Sequence, residues 1–193
     1  MAKKSTHDMV LAAVFAALIV VMTVVPYTGY IAYGGIEITT LHIVVILGSL
    51  FLGWKYGCFL GAVWGVTCML RAFTNPIWIT MGFTNPLIAV LPRILVGLIA
   101  GALFLGLRKL KMPDIPAAVI AAVVTTILHT CMVLTALYLL GDPTGGAGGD
   151  TASFAVIFRS IFMSLIAVNG LIEVIGAGVL VPLLYRTLRK SRA

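Results

Sequence analysis

No charged residue falls between Asp8 and Glu37, and positions 9–25 inside that interval form one continuous apolar run. A helix that crosses a bilayer needs about 20 mostly apolar residues. Further apolar runs occupy 39–52, 58–70, 87–107 and 117–140, and a sixth lies within 154–185. Turn chemistry separates them. Pro26-Tyr27-Thr28-Gly29 ends the first, and Gly53-Trp54-Lys55-Tyr56-Gly57 reads as a tight turn after the second. Asn75-Pro76 and Asn85-Pro86 bracket a polar loop, 108–114 is a basic connector, and 141–153 is a loop rich in Gly, Asp and Thr. The second and third runs are short for a span. They suffice if tilted, or if Trp54 and Tyr56 sit among the headgroups. The pattern predicts an all-α membrane protein, a bundle of six transmembrane helices. Composition agrees: 61% of the 193 residues are hydrophobic and 10% charged, where a soluble domain is about a quarter charged. Mean hydropathy is +1.14. An ordinary soluble enzyme and a disordered chain are both excluded.

The apolar run behind Lys3 and Lys4 also fits a secretory signal. Its length, Asp8 at its start and the five further runs favour a retained first helix. With the N-terminus in the cytoplasm, Lys3, Lys4, Lys55, Arg108, Lys109, Lys111, Arg186, Arg189, Lys190 and Arg192 lie inside, ten of the 13 cations. The outer loops then hold Glu37, Asp142 and Asp150. Cations concentrate on the cytoplasmic side of membrane proteins, so the net charge of +7 marks topology rather than a nucleic-acid surface. Both termini are cytoplasmic in this arrangement, and residues 1–193 form a single membrane domain. No internal repeat marks an inverted-repeat transporter. Cys58, Cys68 and Cys131 lie inside apolar runs, with no CxxC and no His at metal spacing, and read as small packing residues. No disulfide, metal or cofactor is expected.

Arg71, Arg93 and Arg159 break the inside pattern and fall in the outer half of the membrane or at its outer edge. Each has two readings. One is interfacial snorkelling, which suits Arg71 and Arg159 taken singly. The other is a positively charged outer cavity that attracts an anion, since a guanidinium fork matches a carboxylate. Arg93 lies several residues into its helix, where a charge needs a partner. Asn169 and Glu173 are four apart and share a helix face. Arg159, fourteen residues before Glu173, falls close to that face at ~100° per residue. Glu173 is the only acid deep in any run. It either lines the cavity or pairs with Arg93, and both can hold together. His42 opens the second helix on the outer side. His129 lies in the middle of the fifth, as a packing residue or as a cavity group that both donates and accepts hydrogen bonds. The loop carrying Asn75, Trp78, Thr84 and Asn85 is polar with aromatics, as a vestibule or an ordinary loop would be.

Small residues repeat at four-residue spacing: Ala12/Ala16 and Ala13/Ala17 in the first helix, Gly57, Gly61 and Gly65 in the third, Ala117/Ala121 and Ala118/Ala122 in the fifth. Such stripes let helix backbones approach closely in lipid. They serve packing within the bundle or, for the first helix, docking of another membrane subunit.

Taken in order, these features resemble the substrate-binding S-component of an energy-coupling factor (ECF) vitamin transporter. The marks are the doubled alanine pairs, Thr40-Leu41-His42-Ile43, Leu52-Gly53-Trp54-Lys55-Tyr56-Gly57 with Gly61 and Gly65, Arg71-Ala72-Phe73-Thr74-Asn75-Pro76, and Asn169-Gly170-Leu171-Ile172-Glu173. They cover nearly the whole chain. Val44 departs, standing where similar sequences often have Pro after His-Ile. The resemblance implies high-affinity capture of a vitamin in an outer cavity, with the segment 26–38 closing over it. It implies that the alanine face (Ala12, Ala13, Ala16, Ala17) docks on a transmembrane coupling subunit driven by two cytoplasmic ATPases. The chain itself carries no Gly-x-x-x-x-Gly-Lys-Ser/Thr loop. The second helix is similar to the pantothenate and pyridoxine branch, and the outer arginines favour the acid, pantothenate, over neutral pyridoxine. His42, Arg71, Asn75, Asn85, Arg93, His129, Arg159, Asn169 and Glu173 are the expected substrate residues in a bacterial cytoplasmic membrane. The rivals are a self-sufficient proton-coupled transporter using Glu173, a structural membrane subunit, and a membrane enzyme, for which no clustered acids or histidines are present.

Overall fold

A computed structural model describes residues 2–33, 36–74, 82–140 and 169–192. The chain runs through α1 (Ala2–Val24), a hairpin of β1 (Tyr30–Tyr33) and β2 (Ile36–Thr39), α2 (Leu41–Leu52), α3 (Trp54–Thr74), α4 (Leu91–Lys109), α5 (Asp114–Leu140) and α6 (Leu171–Arg192). A 3-10 turn, Gly82–Thr84, and a helical turn, Pro86–Ala89, lead into α4. Among the described residues α1, α3, α4, α5 and α6 are long and apolar enough to cross a membrane. The 12 residues of α2 span only about 18 Å. The architecture is a multi-pass helical membrane bundle.

The shortest helix is the most enclosed. Every residue of α2 from Leu41 to Leu50 is buried, as suits a helix apolar on all faces. It runs unbroken through Val44. Around it, α3 packs on α4, and α4 and α6 pack on α5. Glycine sets the α3–α4 distance. A Cβ on Gly57 would strike Ser49 Oγ and the Gly97 carbonyl, and one on Gly97 would strike the Gly57 carbonyl. Ser49 Oγ donates to that Gly97 carbonyl at 2.5 Å, cross-linking α2 to α4. On α5 the alanines at 117, 118, 121 and 122 are all buried, facing a core that includes Ala177 and Val181 of α6. The glycine and α5 alanine stripes are therefore internal packing surfaces.

One expectation is corrected. The turn between the second and third helices is a single residue, Gly53, at φ 97°, in the left-handed region that glycine favours. Trp54 to Gly57 already belong to α3, because the Gly53 carbonyl accepts from the Gly57 N–H at 3.0 Å and starts the next helical ladder. The apolar run at 39–52 is helical from Leu41, since Thr39 pairs with Tyr30 in the hairpin, and His42 stands in the first turn of the second helix. On α1 the two alanine stripes part company. Ala12 is 3% exposed and turned into the bundle with half-buried Ala16, whereas Ala13 and Ala17 are exposed. Ala12 packs within the bundle, and Ala13 and Ala17 are the alanines of the two pairs that are exposed. The loop at 141–153 and the first part of the sixth run lie outside the described residues.

The helices sort the charges to two ends. The hairpin, the end of α3, the start of α4 and the start of α6 meet at one end through Glu37, Arg71, Arg93 and Glu173. Arg108, Asp114 and Arg189 meet at the other.

Candidate functional site

A two-stranded hairpin is marginal alone, and this one is tied to the bundle by side chains from two helices. Its antiparallel register pairs Tyr30 with Thr39 and Ala32 with Glu37. The outer edge of β2 offers backbone groups that need partners. Asn169 Nδ2 donates to the Glu37 carbonyl at 2.8 Å, and the Thr39 N–H donates to Glu173 Oε1 at 2.8 Å. The spacing explains the match. Four residues along a helix rise about 6 Å, and two along a strand rise about 6.6 Å. From α3, Arg71 reaches the Glu37 carboxylate with both Nη atoms, at 2.8 and 2.7 Å. Its guanidinium lies 4.2 Å from the centre of the Tyr30 ring. Tyr30 in turn accepts from the Trp64 indole at 3.2 Å. Burial pushes the Tyr30 phenol well above its ordinary range, so it stays protonated.

Beneath the hairpin sits a buried polar cluster. His42, Trp64 and Thr125 have no solvent exposure, and His129 and Arg93 are 4% and 5% exposed. The His129 ring lies 5.0 Å from Trp64 and stacks on His42 at 6.3 Å. Arg93 is held firmly. One Nη donates to the Ile88 carbonyl at 2.7 Å, the other approaches Cys68 Sγ at 3.9 Å, and the aromatic rings of Phe83 and Trp64 lie 4.8 and 5.3 Å away. Among the described residues no carboxylate lies within ion-pair distance of it. The expected pair with Glu173 does not form, because that carboxylate is turned to the edge of β2.

Seven buried atoms in this region have no hydrogen-bond partner among the described residues: both ring nitrogens of His42 and of His129, Arg93 Nε, Thr125 Oγ1 and Asn169 Oδ1. Each such group costs roughly 1–3 kcal/mol when left unpaired. His42 and His129 gather with Arg93 around Trp64, and unpaired groups of this kind beside a guanidinium that meets no carboxylate among the described residues suit a small anionic ligand with further polar groups.

The structure therefore divides the expected residues. His42, Arg93 and His129 cluster around Trp64. Arg71, Asn169 and Glu173 hold the hairpin, with Asn169 Oδ1 left over. Asn85 has a local role in the structure: its Oδ1 accepts from the Leu87 N–H at 3.0 Å and caps the turn that Pro86 opens. Asn75 and Arg159 lie outside the described residues. Sequence reasoning missed Tyr30, Trp64 and Thr125. For Trp64 a signal existed, since Trp64, Cys68 and Arg71 are spaced four and three apart on one face of α3.

Comparison with known proteins adds a family. A family model described as ECF transporter, substrate-specific component, matches residues 7–185. A protein of Leuconostoc mesenteroides subsp. mesenteroides named Pantothenate transporter PanT is 35% identical over 109 residues, which is 54% of this chain and 53% of that protein. The Pantothenic acid transporter PanT of Lactococcus lactis subsp. cremoris is 29% identical over 209 aligned residues, 100% of this chain and 98% of that one. The chain thus matches about half the length of the first relative and nearly all of the second.

Proposed function

The chain belongs to the family of substrate-specific components of ECF transporters, and from that premise we propose that it captures pantothenate at the hairpin end of the bundle for an ATP-driven importer. The observation that carries the reading is Arg93, a buried and fixed cation without a carboxylate partner among the described residues, whose own Nε is unpaired together with six polar atoms of His42, His129, Thr125 and Asn169. Pantothenate offers a carboxylate, an amide and hydroxyls. In this reading Arg93 Nε takes the carboxylate. His42, His129, Thr125 and Asn169 Oδ1 take the amide and hydroxyls, with neutral imidazoles donating and accepting as needed. Arg71, Glu173 and the Asn169 amide hold the hairpin over the bound vitamin. Arg159 and Asn75 complete the proposed site. The names of the two relatives support this choice of vitamin.

The chain is a single membrane domain in a bacterial cytoplasmic membrane. Here α2 is the sixth crossing, its short length made up by burial among longer helices. Both termini are then cytoplasmic, the hairpin is outside, and the Gly53 turn and the Arg108 end are inside. The partners are a transmembrane coupling subunit and two ATPases. Ala13 and Ala17, with exposed Val10 and Val14 on α1, form the docking face.

Thermal unfolding of the purified chain against a panel of vitamins tests the reading, since a ligand of the folded state raises the melting temperature. Stabilisation by pantothenate is expected. Stabilisation by pyridoxine alone would overturn the acid reading, and no shift with any vitamin would overturn vitamin capture.

A further inference from the structure

At the end of the bundle away from the hairpin, a cavity of about 610 Å³ opens between the end of α4, the start of α5 and the end of α6. Arg108, Arg186 and Arg189 line it against a single acid, Asp114. The Asp114 side chain is 9% exposed and lies between two cations, with Arg108 Nη1 2.5 Å from one oxygen, an ion pair without hydrogen-bond geometry, and Arg189 Nη1 at the other. Arg108 Nη1 also donates to the Met112 carbonyl at 2.9 Å. Asp114 thus pairs by charge with two arginines whose side chains stay 41% and 60% exposed, leaving most of the five donors on each guanidinium available. Arg186 has no carboxylate within ion-pair distance among the described residues. The lining keeps an excess of two positive charges, three arginines less one aspartate.

Apolar surface lies beside this charge. Pro113, Ile115 and Tyr185 form part of the wall, Leu110 is 78% exposed, and Ile115 is 38% exposed. A site for a free anion needs no such surface. A phosphate that carries acyl chains does, because its headgroup sits among cations while its tails cover apolar residues at the same depth. We propose that this cavity binds the phosphate of an anionic phospholipid from the cytoplasmic leaflet. The leaflet assignment rests on the topology given above. Arg186 contacts the phosphate, and Arg108 and Arg189, paired with Asp114, complete the cradle.

The test uses the full chain in nanodiscs of phosphatidylcholine mixed with phosphatidylglycerol, released for native mass spectrometry. Wild type is expected to retain phosphatidylglycerol in preference to phosphatidylcholine. Arg186→Gln should lower that preference roughly fivefold, and Arg186→Lys should keep most of it. Lys55→Gln, at the Gly53 turn on the same side but outside the cavity, should leave it unchanged. Equal losses in Arg186→Gln and Lys55→Gln would overturn the site in favour of diffuse attraction. Displacement of the lipid by inorganic phosphate alone would overturn the lipid as its occupant. Vitamin binding, measured on the same samples, should be unaffected by Arg186→Gln, so failure of the lipid site and failure of the vitamin reading are separable.

Discussion

Arg71 grips Glu37 with both Nη atoms, so the end of α3 and the second strand of the hairpin are joined by a two-point ion pair. Both side chains are only about one-fifth exposed, at 23% and 21%. Breaking the pair removes one tie of the hairpin and leaves those of Asn169 and Glu173 in place. Arg71→Ala or Glu37→Gln is expected to speed vitamin dissociation roughly five- to tenfold, with little change in association rate. The exchanged pair, Arg71→Glu with Glu37→Arg, should recover part of the loss. Stopped-flow dissociation reads all of these, and an unchanged rate in the single variants would remove the pair from the closure.

Glu173 acts on the hairpin through one oxygen, which accepts from the Thr39 N–H. A carboxamide keeps that acceptor and an alanine removes it. Hydrogen exchange at Thr39 should be faster in Glu173→Ala and close to wild type in Glu173→Gln. If both variants exchange alike, the carboxylate charge rather than its hydrogen bond holds the strand.

The α3–α4 seam depends on absent side chains. Gly97→Val places atoms into the Gly57 carbonyl, and overpacking of this kind costs about 1–3 kcal/mol. A Cβ on Gly176 of α6 meets nothing within 4 Å. Gly176→Ala should therefore be neutral or stabilising by up to about 1 kcal/mol. Melting temperatures in detergent should fall for the first and not for the second.

The two stripes of α1 should behave differently. Ala12→Leu enters the bundle and should lower the melting temperature of the isolated chain. Ala13→Leu and Ala17→Leu project outward, so they should spare vitamin binding and weaken co-purification with a coupling subunit. Full recovery of the complex with both outward variants would move the docking face elsewhere.

Much of this fold is written in the spacing of charges. Few charges interrupt the apolar runs, so the helices and the small-residue seams of α3 and α5 are legible from residue order. The boundaries at Gly53 and Thr39 were less so. A helix start and a strand end there depend on which backbone groups find partners, and the partners of Thr39 are Tyr30 and Glu173, the latter 134 positions away in the chain. The outer arginines were visible as charges out of place, but their division of labour was not. Arg71 and Arg93 look alike in the sequence. They differ because Glu37 comes within reach of one, and aromatic rings and a backbone carbonyl surround the other. Trp64 was hidden among apolar residues because its indole N–H matters only once Tyr30 is folded over it.

The most direct test is calorimetric titration of wild type and Arg93→Gln with pantothenate and with its alcohol analogue, in which a hydroxymethyl group replaces the carboxylate. Arg93 acting on the carboxylate predicts that wild type prefers the acid by roughly tenfold or more, and that Arg93→Gln loses the preference while binding the alcohol about as well as wild type does. Equal loss of both ligands in Arg93→Gln, or an acid preference that survives the substitution, would contradict the account.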